Sequence, residues 1–426
     1  MGLEFVYTQP VKICFGAGVL ERLDRILEEQ GLSRCVAVCD PFLRPAVERL
    51  ASQICHSEPV TDVTGVGIRT PGAGEADCHD QCAHLSDGPN MQASARHIWL
   101  PELMQSWSRN DNSKNDSAIV AIYSDVQPNP QLSGAAAVAA LIREREADCV
   151  LAVGGGSTLD TAKFAAAIAK GGDALEYFRG QRPFDPNHIP VLTAPTTAGT
   201  GSEVTQVSVM SCGKEKKTIN NPAFMPKLAL VDPGLTLSVP PRTTMNTGLD
   251  ALAHALEGFW SRNHQPISDQ MARQAVRLVL ENLERAWRDG SDLEARTNMS
   301  LAALFGGLAF ALPKTAGSHA CSYPLSEDYG LPHGEACAFT LDSFVRINAD
   351  DRLEALCREV GLSGTEELAE RIIALKQLAG LRCRLSELGQ VDLDKLAHDS
   401  AVHPLMKNNP VAMDEAALRR MFEKLA

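Results

Sequence analysis

The chain has no excess of positive charge: 40 Lys and Arg stand against 53 Asp and Glu over 426 residues, a formal net charge of −13. That balance leaves no electrostatic footprint for nucleic acid or for an anionic membrane surface. Nor does any uncharged apolar run reach the roughly eighteen residues that a membrane span requires. The opening, MGLEFVYTQPVKICFGAGVLERL, lacks the basic segment and apolar core of a leader and moves straight into a strand-like run. A disulfide framework is missing too. Of the twelve cysteines, Cys35, Cys39 and Cys149 sit inside apolar runs, as reduced small hydrophobes do in a cytoplasmic protein. No Pro/Gly-dominated bias points to disorder, and at 44% hydrophobic the chain can build two cores. The expectation is a globular cytoplasmic enzyme with no nucleic-acid or membrane partner.

What is present changes texture along the chain. VAVCD, IVAIYSD, CVLAVGGG, VLTAPTT and LALVDP are short apolar runs, mostly followed by amphipathic stretches. Such alternation predicts an α/β domain with a largely parallel sheet over residues 1–240. After Pro240 and Pro241 come long helix-forming segments, among them LDALAHALEGFW and ISDQMARQAVRLVLENLERAW, which predict an all-α domain over 241–426. The boundary falls near 238–242, where the double proline ends the last strand-turn unit. Residues 57–117 do not fit this alternation. They are rich in Gly, Ser, Asp and Asn, and an aperiodic insertion of that length is unusual inside a sheet domain. Cys78, His79, Cys82 and His84 within it could form a zinc clip by ligand type, if Cys55, His56 or His97 supplied a second half. A surface excursion, or a segment foreign to the working protein, is the other reading.

Two loops in the first half suit a dinucleotide. The strand DCVLAVGGG runs into GGGSTLDTAK, so Gly154, Gly155, Gly156 and Ser157 lie where a strand becomes a helix and backbone amides can cradle a phosphate. A second apolar strand ends in PTTAGTGSEVT, bearing the hydroxyls of Thr196, Thr197, Thr200 and Ser202. Loops of this kind at strand C-termini bracket a nucleotide crevice, although the GxGxxG fingerprint is absent and the pyrophosphate must be held by a different loop geometry. Asp40 ends the strand CVAVCD. Its carboxylate could bond a ribose 2′-hydroxyl and would repel a 2′-phosphate, favouring NAD(H) over NADP(H); it could equally serve as an N-cap or turn residue before Pro41.

The second half carries metal chemistry. Asp250 and His254 are spaced i and i+4 on a predicted helix, which puts carboxylate and imidazole on one face. His319 and His333 can close the shell. Three His and one Asp suit a borderline divalent ion, Fe(II) or Zn(II).

With GGGSTLDTAK, PTTAGTGSEVT, LVDP, TGLDALAHALEG and LPHGEA in this order, the chain resembles the iron-containing (group III) alcohol dehydrogenase family, whose fold is shared with dehydroquinate synthase. Phe15-Gly16-Ala17-Gly18 and Asn408-Asn409-Pro410 match motifs near the family's two ends. The resemblance implies a metal held by Asp250, His254, His319 and His333, with Fe(II) favoured over Zn(II). It also implies a dinucleotide cleft lined by Gly155, Gly156, Ser157, Asp160, Thr196, Thr197 and Ser202, with Asn129 and Lys217 at cofactor-contacting positions. Homo-oligomers are common in the family. Most relatives carry a further His between the last two histidine ligands, where this chain has Tyr323, a proton donor with an ordinary pKa of about 10. The string HACSYPLS…YG.PHGEACA..LDSF is similar to the phosphonoacetaldehyde reductase branch, which implies reduction of an anionic aldehyde; Arg262, His264 and Lys314 flank the ligand segments as candidate cations. A general alcohol or 1,2-diol dehydrogenase, a non-redox metal lyase of the dehydroquinate synthase type and a catalytically dead binding protein are the competing readings.

Overall fold

The computed structural model describes residues 7–53, 118–213 and 215–426. The 57–117 insertion and the zinc-clip residues Cys55, His56, Cys78, His79, Cys82, His84 and His97 lie outside the described residues.

Six strands form one parallel sheet: β1 (Lys12–Phe15), β2 (Cys35–Cys39), β3 (Ile119–Tyr123), β4 (Cys149–Gly154), β5 (Val191–Pro195) and β8 (Leu228–Val231), in the order β1-β8-β5-β4-β2-β3. The apolar runs of β2, β4, β5 and β8 are buried at every residue, as expected of strands covered on both faces. The edge strand β1 is only partly covered. From β2 the chain passes to β3 on one side and then to β4 on the other, so the order reverses between β2 and β4. Crevices at such reversals, outside the carboxyl ends of the strands, are where α/β sheets bind nucleotides. A hairpin that was not anticipated, β6 (Val207–Cys212) with β7 (Glu215–Asn220), is antiparallel and turns at Gly213, φ 60°. Ser211 N–H donates to Pro130 O, tying it beside the loop after β3.

From Pro241 onward the described chain is helical. Pro240 is the N-cap and Pro241 the first residue of the helix Pro241–Trp260, where a proline's missing N–H costs nothing. That helix lies in the middle of the second core, packed against Pro266–Arg288, Leu293–Phe310 and His333–Ile347. The two halves meet closely at Gly201, which has φ +61°: a Cβ there would stand 2.5 Å from Gly307 Cα on the helix Leu293–Phe310. Only glycine fits that backbone approach, which presses the second hydroxyl-bearing loop onto the helical half. None of the helices among the described residues is long and apolar enough to cross a membrane.

Candidate metal and dinucleotide site

Asp250 and His254 lie on the same face of Pro241–Trp260. His319 sits in the first turn of the helix Gly317–Glu327, and His333 is the first residue of His333–Ile347. A Cβ on Gly334 would run into Asn246 O, so the absence of a side chain lets the start of that helix press against the one bearing Asp250. The imidazole Nε2 atoms of His254, His319 and His333 then stand 4.0, 3.6 and 3.8 Å from Asp250 Oδ1. Asp250 and His319 are 2% and 4% exposed, and neither Asp250 Oδ1 nor His319 Nε2 has a hydrogen-bond partner. Two orphaned polar atoms this deep are costly unless something binds them. Donors about 2.0–2.3 Å from an ion lie roughly 3.3–3.8 Å apart in a tetrahedral shell, so the His319 and His333 spacings fit a shared divalent metal and that of His254 lies just outside the range. His333 keeps 42% of its side-chain surface accessible and marks the open side.

The other ring nitrogens of His319 and His254 are committed. His319 Nδ1 hydrogen-bonds Glu257 Oε2, while Glu257 Oε1 accepts from the backbone N–H groups of Ser318 and His319. His254 Nδ1 faces Gly199 O at 3.3 Å. A histidine that donates one ring N–H to a carboxylate or carbonyl presents the other nitrogen to a metal. Glu257 was missed in the sequence, yet its signal was there: it is the acidic residue three after His254 on an otherwise apolar stripe. Burial opposes charge on Asp250, but His254, His333 and His319 outweigh it and hold the carboxyl well below its ordinary range. Burial also pushes His254 down to about 4. For His319 burial acts in the same direction, but Cys337, Glu257 and Asp250 prevail and raise it well above the usual imidazole value.

In the cofactor half the predicted side chains bind one another. Asp160 accepts from Ser202 Oγ at 2.7 Å and from Val209 N at 2.9 Å. Lys163, fully buried, reaches Ser202 Oγ at 2.7 Å, Thr205 O at 3.0 Å and Val207 O at 3.1 Å. Asp40 spans the reversal point: Gly155 N–H donates to its Oδ2 at 3.2 Å and Thr158 Oγ1 to its Oδ1. Burial raises its pKa against the pull of those two bonds. Thr196 N–H donates to Gly154 O at 3.0 Å, joining the two loops, and a Cβ on Gly155 would lie 3.7 Å from Thr197. Gly156 and Ser157 open the helix Gly156–Ile168, with Gly155 as its N-cap. The amides of this loop are therefore held in place by side chains that are themselves satisfied.

The structure places two sets of residues differently from the expectation. Lys217 pairs with Glu215 at 2.9 Å and lies over the Phe178 ring at 4.8 Å, whereas Lys216 reaches Asn129 Oδ1 at 3.1 Å. Side chains alternate along β7, so Lys216 and Thr218 share the face toward Asn129 and Tyr323, and Lys217 takes the other. The sequence offered adjacent lysines and no register to choose between them. The candidate cations are also committed elsewhere. Arg262 binds Asn409 O at 2.7 Å and Pro410 O at 3.2 Å, His264 meets Asp269 at 3.0 Å, and Lys314, with φ 68°, donates to Ala311 O at 2.7 Å. Tyr323, four residues after His319, shares that residue's helix face; its hydroxyl bonds Thr218 Oγ1 and its ring stacks on His403 at 4.2 Å.

Fold and site together define a class: a parallel sheet with a strand-order reversal, joined to a helical half that carries a buried Asp/His cluster able to hold a metal. Profiles described as iron-containing alcohol dehydrogenase and as Fe-containing alcohol dehydrogenase family, C-terminal, match residues 105–233 and 244–426. The chain is 36% identical over 325 residues to long-chain-alcohol dehydrogenase 1 of Geobacillus thermodenitrificans (strain NG80-2), covering 71% of this chain and 81% of that protein. The crystal structure of sulfoacetaldehyde reductase from Bifidobacterium kashiwanohense in complex with NAD+ aligns with a TM-score of 0.82 at 35% identity, covering 100% of this chain and 99% of that one. A 1,3-propanediol oxidoreductase aligns at 0.77 with 25% identity, covering 99% of this chain and 100% of that one. The chain belongs to the iron-containing alcohol dehydrogenase family. It is an oxidoreductase of the alcohol and aldehyde class, and membership implies a metal and NAD(H).

Proposed function

We propose that the protein reduces a small anionic aldehyde with NADH, converting phosphonoacetaldehyde to 2-hydroxyethylphosphonate at a centre held by Asp250, His254, His319 and His333. The observation that carries the reading is the pair of orphaned buried atoms, Asp250 Oδ1 and His319 Nε2, with Tyr323 one helical turn after His319. When bound, Fe(II), favoured over Zn(II), supplies Lewis acidity toward the aldehyde oxygen, and reduced nicotinamide supplies the hydride. Tyr323 holds the proton for the product alkoxide: burial raises its pKa, so it is a protonated donor at neutral pH. The amides of Gly156 and Ser157 take the pyrophosphate, with Gly155, Thr196 and Thr197 alongside, while Asp160 and Ser202 hold the loops. Asn129 and Lys216, in place of Lys217, reach the cofactor, and Asp40 lies where a 2′-phosphate would be repelled.

The anionic head is assigned to the rim formed by Thr218, Tyr323 and His403. Leu405 N–H donates to His403 Nδ1, which leaves Nε2–H as a donor. The likeness to a sulfoacetaldehyde reductase supports this reading, because sulfonate and phosphonate aldehydes share a two-carbon body and a tetrahedral anion. The test is NADH oxidation by anaerobically Fe(II)-loaded protein with phosphonoacetaldehyde, sulfoacetaldehyde and propionaldehyde. A preference for phosphonoacetaldehyde above about a hundredfold in kcat/KM, about 2.7 kcal/mol of transition-state discrimination, is expected. A sulfoacetaldehyde preference reassigns the head group, equal rates return the chain to general alcohol dehydrogenases, and metal-dependent turnover without net NADH loss gives the lyase reading.

A further inference from the structure

A cysteine lies among the aspartate and histidines of the candidate metal site. Cys337 lies one turn after His333 on His333–Ile347, completely buried, with its Sγ 3.7 Å from His333 Nε2. Ligand atoms of Asp250, His319, His333 and Cys337 all lie within 4.8 Å of one another. The i, i+4 spacing of His333 and Cys337 repeats that of Asp250 and His254 on the facing helix, so two helices each present a pair of donors toward one point. Asp250 Oδ1 and His319 Nε2, both more than nine-tenths buried and without partners, face the same space. A thiol that served as a hydrogen-bond donor to His333 Nε2 would occupy the very nitrogen the ion requires.

We infer that Cys337 Sγ is a further protein ligand of the metal ion that Asp250, His254, His319 and His333 would hold. This rests on the metal-site reading above and goes beyond it in the donor set. Binding displaces the thiol proton to solvent, so the ligand is a thiolate. One soft donor added to nitrogen and oxygen ligands shifts preference toward Zn(II) relative to Fe(II).

Cobalt(II) tests this without reference to turnover, because a thiolate ligand gives Co(II) an intense near-ultraviolet charge-transfer band that nitrogen and oxygen ligands do not. The full-length protein is stripped with chelator, reloaded with one equivalent of Co(II), and its cobalt content and absorption spectrum are measured. The expected result is the band in the wild type and its loss in Cys337→Ser and Cys337→Ala at unchanged cobalt stoichiometry. Stoichiometric cobalt without the band in the wild type overturns the proposal while leaving the Asp250/histidine centre intact. A band that survives in Cys337→Ser also overturns it. Failure of the wild type to bind cobalt removes the centre and the proposal together. Competition between Zn(II) and Fe(II), followed by metal analysis, is expected to move toward Fe(II) by about tenfold or more in Cys337→Ser; an unchanged ratio counts against a thiolate ligand.

Discussion

The two halves of the site use their polar side chains in opposite ways. In the helical half Asp250 Oδ1 and His319 Nε2 are buried and have no partners. In the sheet half Asp160, Ser202, Lys163 and Asp40 are bonded to the loops around them. The contrast separates two kinds of binding surface. A metal is met by side-chain lone pairs, which must be left unspent in the protein itself. A pyrophosphate is met by backbone amides at a helix N-terminus, so side chains near it do their part by fixing the loop. A motif residue that looks like a ligand in sequence can therefore be a brace.

Removing an unspent donor breaks the comparison most severely. His319→Ala is expected to lose metal and activity together, with kcat/KM down on the order of 10³-fold or more while the circular dichroism of the helical domain persists; several kcal/mol of charge stabilisation are at stake. Metal analysis beside the kinetics checks it, and retention of both would remove His319 from the ligand set. Glu257→Gln keeps the shape but removes the carboxylate that accepts from His319 Nδ1, and metal affinity should fall about 10–100-fold. Gly307→Ala forces a Cβ to 2.9 Å from Gly201 Cα, and denaturant titration should show a loss of about 1–3 kcal/mol, the range for overpacking a close contact.

The lysines sharpen the distinction between brace and ligand. Lys216→Met should raise KM for NADH about tenfold, as loss of one charged contact does, and Lys217→Met should leave it within about twofold; the reverse pattern would restore Lys217. Lys163 is pure brace, its pKa pushed down to about 8 by burial from the ordinary value of 10.5. Between those two values the unfolded chain binds more protons than the folded one at this residue, so folding stability rises with pH there. The stability of wild type minus that of Lys163→Met should thus grow from pH 8 toward 10.5, by an amount measurable in denaturant titrations; a difference flat with pH would mean that Lys163 stays charged throughout.

Much of this architecture was legible in the residues. The alternating apolar runs gave the parallel sheet, because a strand buried on both faces is apolar almost throughout, as β4 is and as β5 is apart from Thr193. The β6–β7 hairpin was not legible: EKKTIN has no apolar periodicity, and it is a strand because it pairs with VSVMSC. Glu257 and Cys337 were both in view at helical spacing from candidate ligands, but which way each side chain points depends on the packing of three separate helices.

The sequence by itself determined the chemistry available: the candidate metal donors, the glycine-bearing loops and their order, since residue type and local spacing set what a helix face or a strand end can offer. Only the tertiary structure decided which groups remain unspent. It turned Lys216 rather than Lys217 toward Asn129, tied Arg262, His264 and Lys314 to partners of their own, and brought Cys337 beside His333 and Asp250. The physical reason is that a hydrogen bond or a coordination shell is closed by groups distant in the chain, and their meeting is fixed by how the two cores pack.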